Sequence, residues 1–228
     1  MVDLTASTQS DLAELVNASV AKSGEVIAAE FQSNGRGRLD RTFEAPPHSA
    51  LLFSFYIAPQ RARSDWSFIS FLAALAMREV ITENLAENIT LKWPNDILIG
   101  DKKVAGLLAQ QIGDGVIVGI GLNVAMGADE LPVPTATSLA LAGSKNLDRN
   151  LLLSAFLNRF EIIFKEWDSG SDFLEKYRQV SSTLGRQVRV EVLGRDSIEA
   201  EAVAITAQGA LILSDGTEVN VGDVVHLR

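Results

Sequence analysis

Residues 32–46 read QSNGRGRLDRTFEAP and set Arg36, Arg38 and Arg41 around Gly35 and Gly37. Arginine carries a permanent charge and a forked set of donors, the geometry that grips a carboxylate or a phosphate. Glycine lets backbone amides come close to a ligand. The same letters also read as a solvated basic loop, or as an arginine–glycine contact to nucleic acid. They are not the G-x-x-x-x-G-K-[ST] of a phosphate-binding P-loop. In an extended loop, Arg36 and Arg38 stand two apart and point the same way.

Three further stretches offer chemistry. LKWPNDILIGDKKVAGLL (91–108) carries Lys92, Asn95, Asp96 and Lys103 on two apolar runs joined by GDKK. That reads as a hairpin with ammonium and carboxylate at its mouth, able to bind a nucleotide or a metal. Its plainer reading is Pro-Asn-Asp turn chemistry behind a core tryptophan. VGIGLNV (118–124) places Gly119 and Gly121 in a β-branched strand. Strand glycines mark a bulge, a tight crossing or the close approach of a ligand. Asn123 then offers a donor and an acceptor suited to a purine edge. Ser7-Thr8-Gln9 reads first as a helix cap, with any ligand contact additional.

The elements that must position these residues follow from periodicity. Thr8 and Asp11 form a capping box before Leu12, Leu15, Val16 and Val20, which predicts a helix over 9–22. Strands are expected at 25–31 and 50–57, with a long aperiodic loop at 32–48 between them. A helix apolar on most faces, hence buried, follows at 66–85. Strands come next at 89–93, 97–100, 103–112 and 116–124. An amphipathic helix at 150–168 and a shorter one after 171 complete the first unit. From 183 the texture becomes short alternating segments split by Gly and Asp, the pattern of a small β-barrel. The expected division is therefore 1–182 and 183–228.

Composition narrows the function. The 228 residues are 47% hydrophobic with a net charge of −9. That is enough chain for one main domain and a small second one. The absence of cysteine excludes disulfides, thiolate metal sites and thiol nucleophiles. The two histidines, His48 and His226, are far apart and form no metal or triad signature. What remains is Lys, Arg, Asp, Glu, Asn and backbone, a set suited to stabilising developing charge rather than to covalent catalysis. No dedicated metal cage is visible. Acidic balance disfavours nucleic acid as a partner. No apolar run reaches the ~18 residues of a membrane span, and the N-terminus lacks a secretory pattern. The expectation is a cytoplasmic protein with no membrane partner.

Taken in order, the stretches resemble the biotin protein ligase family. The matching set is Ser7-Thr8, Gln32-x-x-Gly35-Arg36-Gly37-Arg38-x-x-Arg41, Lys92-Trp93-Pro94-Asn95-Asp96, Lys103-Val104-Ala105-Gly106, Gly119-Ile120-Gly121-x-Asn123 and Thr137-Ser138-Leu139. The resemblance runs from about Ser7 to the end of the chain. It implies an α+β fold, with a class II synthetase-like mixed central sheet, flanking helices and a small SH3-like β-barrel at the C-terminus.

The resemblance also implies an activity. Biotin and ATP are joined to biotinyl-5′-AMP, Mg²⁺ accompanying the ATP, and the biotinyl group passes to one lysine of a biotin carboxyl carrier protein or domain. The arginine loop of the family folds over the ligand and orders on binding. Ser7, Thr8, Gln32, Gly35 and the Arg36 backbone are implied to hold biotin's ureido ring. Gly106, Gly119 and Gly121 would form the floor of the biotin site. Arg38 and Lys103 would meet the carboxylate and α-phosphate, with Lys103 the leading electrostatic catalyst. Asp96 would orient the second step or a metal. Arg41, Phe43, Lys92, Asn95 and Asn123 are implied on the ATP side.

The sequence departs from the family pattern in several places. Gln9-Ser10 stand for the usual Asn-Gln, Asp40 for a common Gly, and His48 for another Gly, while the strand before Ser7 is short or absent. No N-terminal DNA-binding domain is expected. A monomer or a homodimer is expected, with 113–124 the candidate sheet edge. A lipoate-type ligase and an inactive biotin-binding module are the alternative readings.

Overall fold

The computed structural model describes residues 1–38, 41–192 and 196–227, so that Asp40 lies outside the described residues. Its first unit contains seven strands: β1 (Val2–Thr5), β2 (Val26–Gln32), β3 (Ala50–Ile57), β4 (Ile89–Lys92), β5 (Asp96–Ile99), β6 (Lys102–Ile112) and β7 (Gly115–Asn123). They form one sheet in the order β1-β2-β3-β7-β6-β5-β4. β1 runs parallel to β2, and the remaining pairs are antiparallel. Four helices accompany it: α1 (Thr8–Asn17), α2 (Ile69–Asn84), α3 (Arg149–Asp168) and α4 (Leu174–Val180). A second, five-stranded antiparallel sheet follows. Its strands are β8 (Gln187–Glu191), β9 (Ile198–Ile205), β10 (Leu211–Leu213), β11 (Glu218–Val219) and β12 (Asp223–His226), in the order β11-β10-β9-β8-β12. The architecture is the expected α+β arrangement of a large mixed sheet and a separate C-terminal β unit.

The alternation of β3 shows how the main sheet is used. Phe53 and Phe55 face α3, where their rings meet Phe156 and Phe160 at centroid distances of 4.7–5.7 Å. Leu52, Ser54 and Tyr56 face the other way. Tyr56 packs with Leu12 of α1 and Ile117, and Leu52 with Ala45, Ala50 and Met126. β3 is thus buried along its whole length. That explains its nearly continuous apolar run, a pattern expected of a strand covered on both faces. Ser54 is the small polar interruption, and it lies on the α1 side.

Several expectations are corrected. β1 is present and supplies an outer parallel strand, although too little apolar sequence precedes Ser7 to reveal it. α1 ends at Asn17 rather than near 22. Ser19 adopts φ 58, with Ser19 N bonded to Val16 O and Val20 N to Leu15 O, both at 2.9 Å. This double bond is the pattern that closes helices on a left-handed residue. The capping box is not formed. Ser7 is the N-cap, without a side-chain bond to the helix, and Asp11 instead accepts from Thr5 Oγ1 at 2.6 Å. The segment 113–124 is no edge. β7 lies between β3 and β6, paired along its length with both, so its backbone groups are already taken on either side. His48, the residue standing for glycine, does take a left-handed φ of 63, a region costly for a side chain with Cβ. Its Nδ1 lies 2.8 Å from Glu30 Oε2.

The two sheets meet at Trp93. Its ring is fully buried, its Nε1 donates to Gly209 O at 2.9 Å, and its backbone N donates to Thr183 Oγ1 at 2.9 Å. His226 Nε2 lies 3.2 Å from the same hydroxyl. Burial, and after it the charges of Lys92 and Arg186, lowers His226 from 6.5 to about 4. The unfolded chain therefore takes up this proton first as pH falls. His226 weakens the fold progressively between about pH 6.5 and pH 4 and has no effect above that window. The melting temperature of the wild-type protein should accordingly fall further between neutral and acidic pH than that of His226→Gln. Equal falls would refute this account.

Candidate active site

A single cross-strand row carries the chemistry. Register pairs link Lys92 to Asp96, Asp96 to Gly106, Gly106 to Gly121 and Gly121 to Leu52, from β4 through β5, β6 and β7 into β3. Residues paired in this way share a face of the sheet. The next row places Gly119 beside Ser54 and Leu108. Above these rows opens a cleft of about 230 Å³, on the side of the sheet away from α2 and α3.

Lys103 joins this face through an irregularity. Ile97 pairs with Ala105, but Leu98 pairs with Lys103, which leaves Val104 as an extra residue in β6. Such a bulge re-aims the side chain beside it. Lys103 Nζ lies 2.6 Å from Asp96 Oδ1 and 3.0 Å from where a Cβ on Gly106 would stand. The Lys103 backbone is pinned on both sides: its N donates to Thr135 O and its O accepts from Thr137 N, each at 2.8 Å. Burial pushes the Lys92 ammonium below its ordinary value, while Asp96 opposes the shift.

The start of α1 forms one end of the cleft. Ser7, Thr8 and Gln9 are all buried. Gln32 Oε1 accepts from Thr8 N at 2.8 Å and from Thr8 Oγ1 at 3.0 Å, and Ser54 Oγ lies 2.8 Å from the Thr8 hydroxyl. The glycine floor is tightly covered. A Cβ on Gly119 would stand 2.9 Å from Gln9 Oε1, and one on Gly121 would stand 2.6 Å from the Phe43 ring. Each clash falls on the far end of a side chain, Gln9 or Phe43, so a larger residue at either position would push that side chain aside. Gly121→Ala should leave the fold intact but displace Phe43 from the cleft. The expected result is faster protease cleavage near Phe43 in the variant than in the wild type, and equal rates would show that the contact is idle.

The arginine loop departs from an extended shape. Gly37 N donates to Arg41 O at 2.7 Å and Arg41 N to Arg38 O at 3.0 Å, with a bridge between Arg36 and Thr42. Arg36 and Arg38 therefore go to different partners instead of pointing the same way, as an extended loop would have them. Arg36 Nη1 donates to Gln110 Oε1 at 3.3 Å, whereas Arg38 Nη2 donates to Gly222 O of the second sheet at 3.2 Å.

Of the residues given a catalytic or binding role from the sequence, all line the cleft except Gly35 and Asn123, while Thr137, Ser138 and Leu139 of the matching set lie outside its lining. Gly35 sits in the loop neck, its O accepting from Phe43 N at 2.9 Å. Asn123 is buried with its Nδ2 on Thr137 O at 2.9 Å, so it braces the segment that pins Lys103. Sequence reasoning missed Ser54, Glu191 and Asp223, and gave Gln9 no role beyond the cap, yet all four line the cleft. Ser54 had a signal, as the small polar residue of an apolar strand. The two acids of the second sheet had none.

Comparisons with known proteins identify the family and the fold. Residues 1–126 match the biotin/lipoate A/B protein ligase family and residues 183–227 the biotin protein ligase C terminal domain. A biotin–[acetyl-CoA-carboxylase] ligase of Mycobacterium tuberculosis is 35% identical, over 100% of this chain and 88% of its own length. The bifunctional ligase/repressor BirA of Salmonella typhimurium is 28% identical, over 91% of this chain and 68% of its own. The solved biotin protein ligase from Aquifex aeolicus in complex with biotin and ATP superimposes with a TM-score of 0.83 at 29% identity, covering 100% of this chain and 97% of that one. With one family model over more than half its length, a second over its C-terminal sheet and a relative matched from end to end, the chain belongs to the biotin protein ligases of the biotin/lipoate A/B protein ligase family.

Proposed function

We propose that this chain activates biotin with ATP and transfers it to a carrier lysine. The observation that carries the reading is the row Lys92–Asp96–Gly106–Gly121 with Lys103 turned onto it, faced by the arginine loop. In the first step a biotin carboxylate oxygen bonds to the α-phosphorus, the bond to the β-phosphate oxygen breaks, and pyrophosphate leaves. Two anions must meet, and fixed positive charge lowers that barrier. Lys103 and Arg38 are assigned to the carboxylate and α-phosphate. In the second step an acceptor lysine amine attacks the biotinyl carbonyl, the bond to the AMP oxygen breaks, and AMP and the amine's proton leave; Asp96 is assigned to orient that amine.

The end of the cleft formed by Ser7, Thr8, Gln32 and the Arg36 backbone, floored by Gly119, suits the ureido ring. Arg41, Phe43, Lys92 and Asn95 serve the nucleotide. The adenine contact expected of Asn123 competes with its existing bond to Thr137. Residues 1–182 form the biotin- and ATP-binding domain in this reading, with 183–228 as the small second domain.

Mg²⁺ fits as a companion of the triphosphate. Among the described residues no three His, Cys, Asp or Glu side chains are grouped to hold a metal. Asp96 is already paired with Lys103. Mg²⁺ commonly binds through substrate phosphates and one or two carboxylates, and that is the arrangement the cleft can accept. Among the described residues no helix is long and apolar enough to cross a membrane. The use of ATP and of a carboxylase carrier domain assigns the reaction to the cytoplasm.

The test is biotin-dependent exchange of labelled pyrophosphate into ATP, followed by transfer to a biotin carboxyl carrier domain. Exchange that requires biotin supports the reading. Exchange with lipoate instead would assign the chain to the lipoate ligases, and no exchange with either would leave a binding module.

A further inference from the structure

Two of the three loop arginines are engaged by the second sheet. Arg41 Nη1 lies 2.7 Å from Asp223 Oδ2. Arg38 Nη2 donates to Gly222 O at 3.2 Å, and its Nε lies 3.6 Å from Asp223 Oδ1. The Asp223 side chain is only 14% exposed and lines the cleft. It opens β12, where its cross-strand partner is Glu191 of β8, a second carboxylate in the cleft lining. Like charges directly opposite each other on a sheet repel. The arginines offset that repulsion, and they are the same groups that the proposed reaction needs on phosphate.

We propose that Asp223 is an internal stand-in for the nucleotide's phosphates, holding Arg38 and Arg41 in the cleft until the nucleotide displaces it. The inference rests on the ligase reading, and it makes the C-terminal sheet part of the nucleotide site. The arginines are kept at the cleft in advance, so less ordering remains to be done on binding. In exchange, the incoming phosphates must take guanidinium donors from a carboxylate and leave Asp223 facing Glu191 with Lys92 as the remaining cation near it. Asp223 therefore weakens nucleotide binding. Its negative charge also lies close to the polyphosphate, and the repulsion between them adds to the effect.

Wild-type pyrophosphate exchange is measured first, because its absence overturns the ligase reading itself. With the wild-type enzyme active, Asp223→Asn should lower the KM for ATP about 3- to 10-fold, with kcat changed by less. Asp223→Ser, neutral and smaller, should do the same should the asparagine variant fold poorly. Asp223→Glu, which keeps the charge, should stay near wild type. The gain should shrink as salt is raised, and in an Arg38→Ala/Arg41→Ala background it should fall to the smaller part that direct repulsion supplies, because the competition for the guanidinium groups no longer exists. A KM that is unchanged or raised in the neutral variants overturns the proposal, as does an equal gain without the arginines.

Discussion

Replacing Lys103 with alanine should slow adenylate formation by about 10²- to 10³-fold, the usual consequence of removing a preorganised group that meets developing charge. The side chain is 40% exposed, so the melting temperature should scarcely move. Its main local partner is Asp96, which would lose its ion pair at 2.6 Å. Lys103→Arg keeps the charge but replaces a compact ammonium with a planar fork, and beside Gly106 it should recover only part of the rate. Pyrophosphate exchange measures both variants. A Lys103→Ala enzyme that exchanges at near the wild-type rate would remove the lysine from the chemistry, whatever the rest of the cleft does.

The second large effect concerns stability. Trp93→Ala should cost about 3–5 kcal/mol, the range for deleting a buried aromatic side chain. The residue is 1% exposed and ties both sheets together through Gly209 and Thr183. Trp93→Phe separates volume from polarity. It keeps most of the ring but removes the donor to Gly209 O, at a cost of about 1–3 kcal/mol for a buried acceptor left unpaired. Urea unfolding of the two variants against wild type is the measurement. A loss below about 1 kcal/mol for Trp93→Ala would show that the junction yields easily and that Trp93 is not its anchor.

The sequence was most legible where one residue type does one job. The continuous apolar runs of β3 and β7, the glycine turns between β5, β6 and β7, and the buried α2 could all be read from spacing alone. Most residues of the cleft came together only through the ordered resemblance to the family, because each stretch alone keeps a plainer reading as a turn, a cap, a bulge or a solvated loop. Legibility failed where position depends on distant chain. Whether 113–124 is an edge or a centre depends on β3, sixty residues earlier in sequence, which covers it. Thr8 looked like a cap, but its hydroxyl belongs to Gln32 and Ser54. Asp223 lies in a segment whose alternation says only that it is a strand, and its meaning comes from two arginines nearly two hundred residues away. Arg36 and Arg38 were read as a pair because a two-residue step was assumed, and the Gly37–Arg41 bond breaks that step.

The bulge in β6 makes the cleft depend on parity. From Lys103 to Gly106 is three steps, an odd number, which on a regular strand sends the two residues to opposite sides. The extra residue converts odd to even and brings the ammonium over the glycine. Transposing Lys103 and Val104 would leave composition, net charge and mean hydropathy untouched. Yet it would set the ammonium where Val104 stands, fully buried within the main apolar cluster, and leave a branched hydrocarbon facing Asp96. Isolated ammonium groups are not held in such surroundings. Two chains with identical letter counts would then differ in whether the cleft holds its central cation, and no measure that averages over a window of sequence would tell them apart.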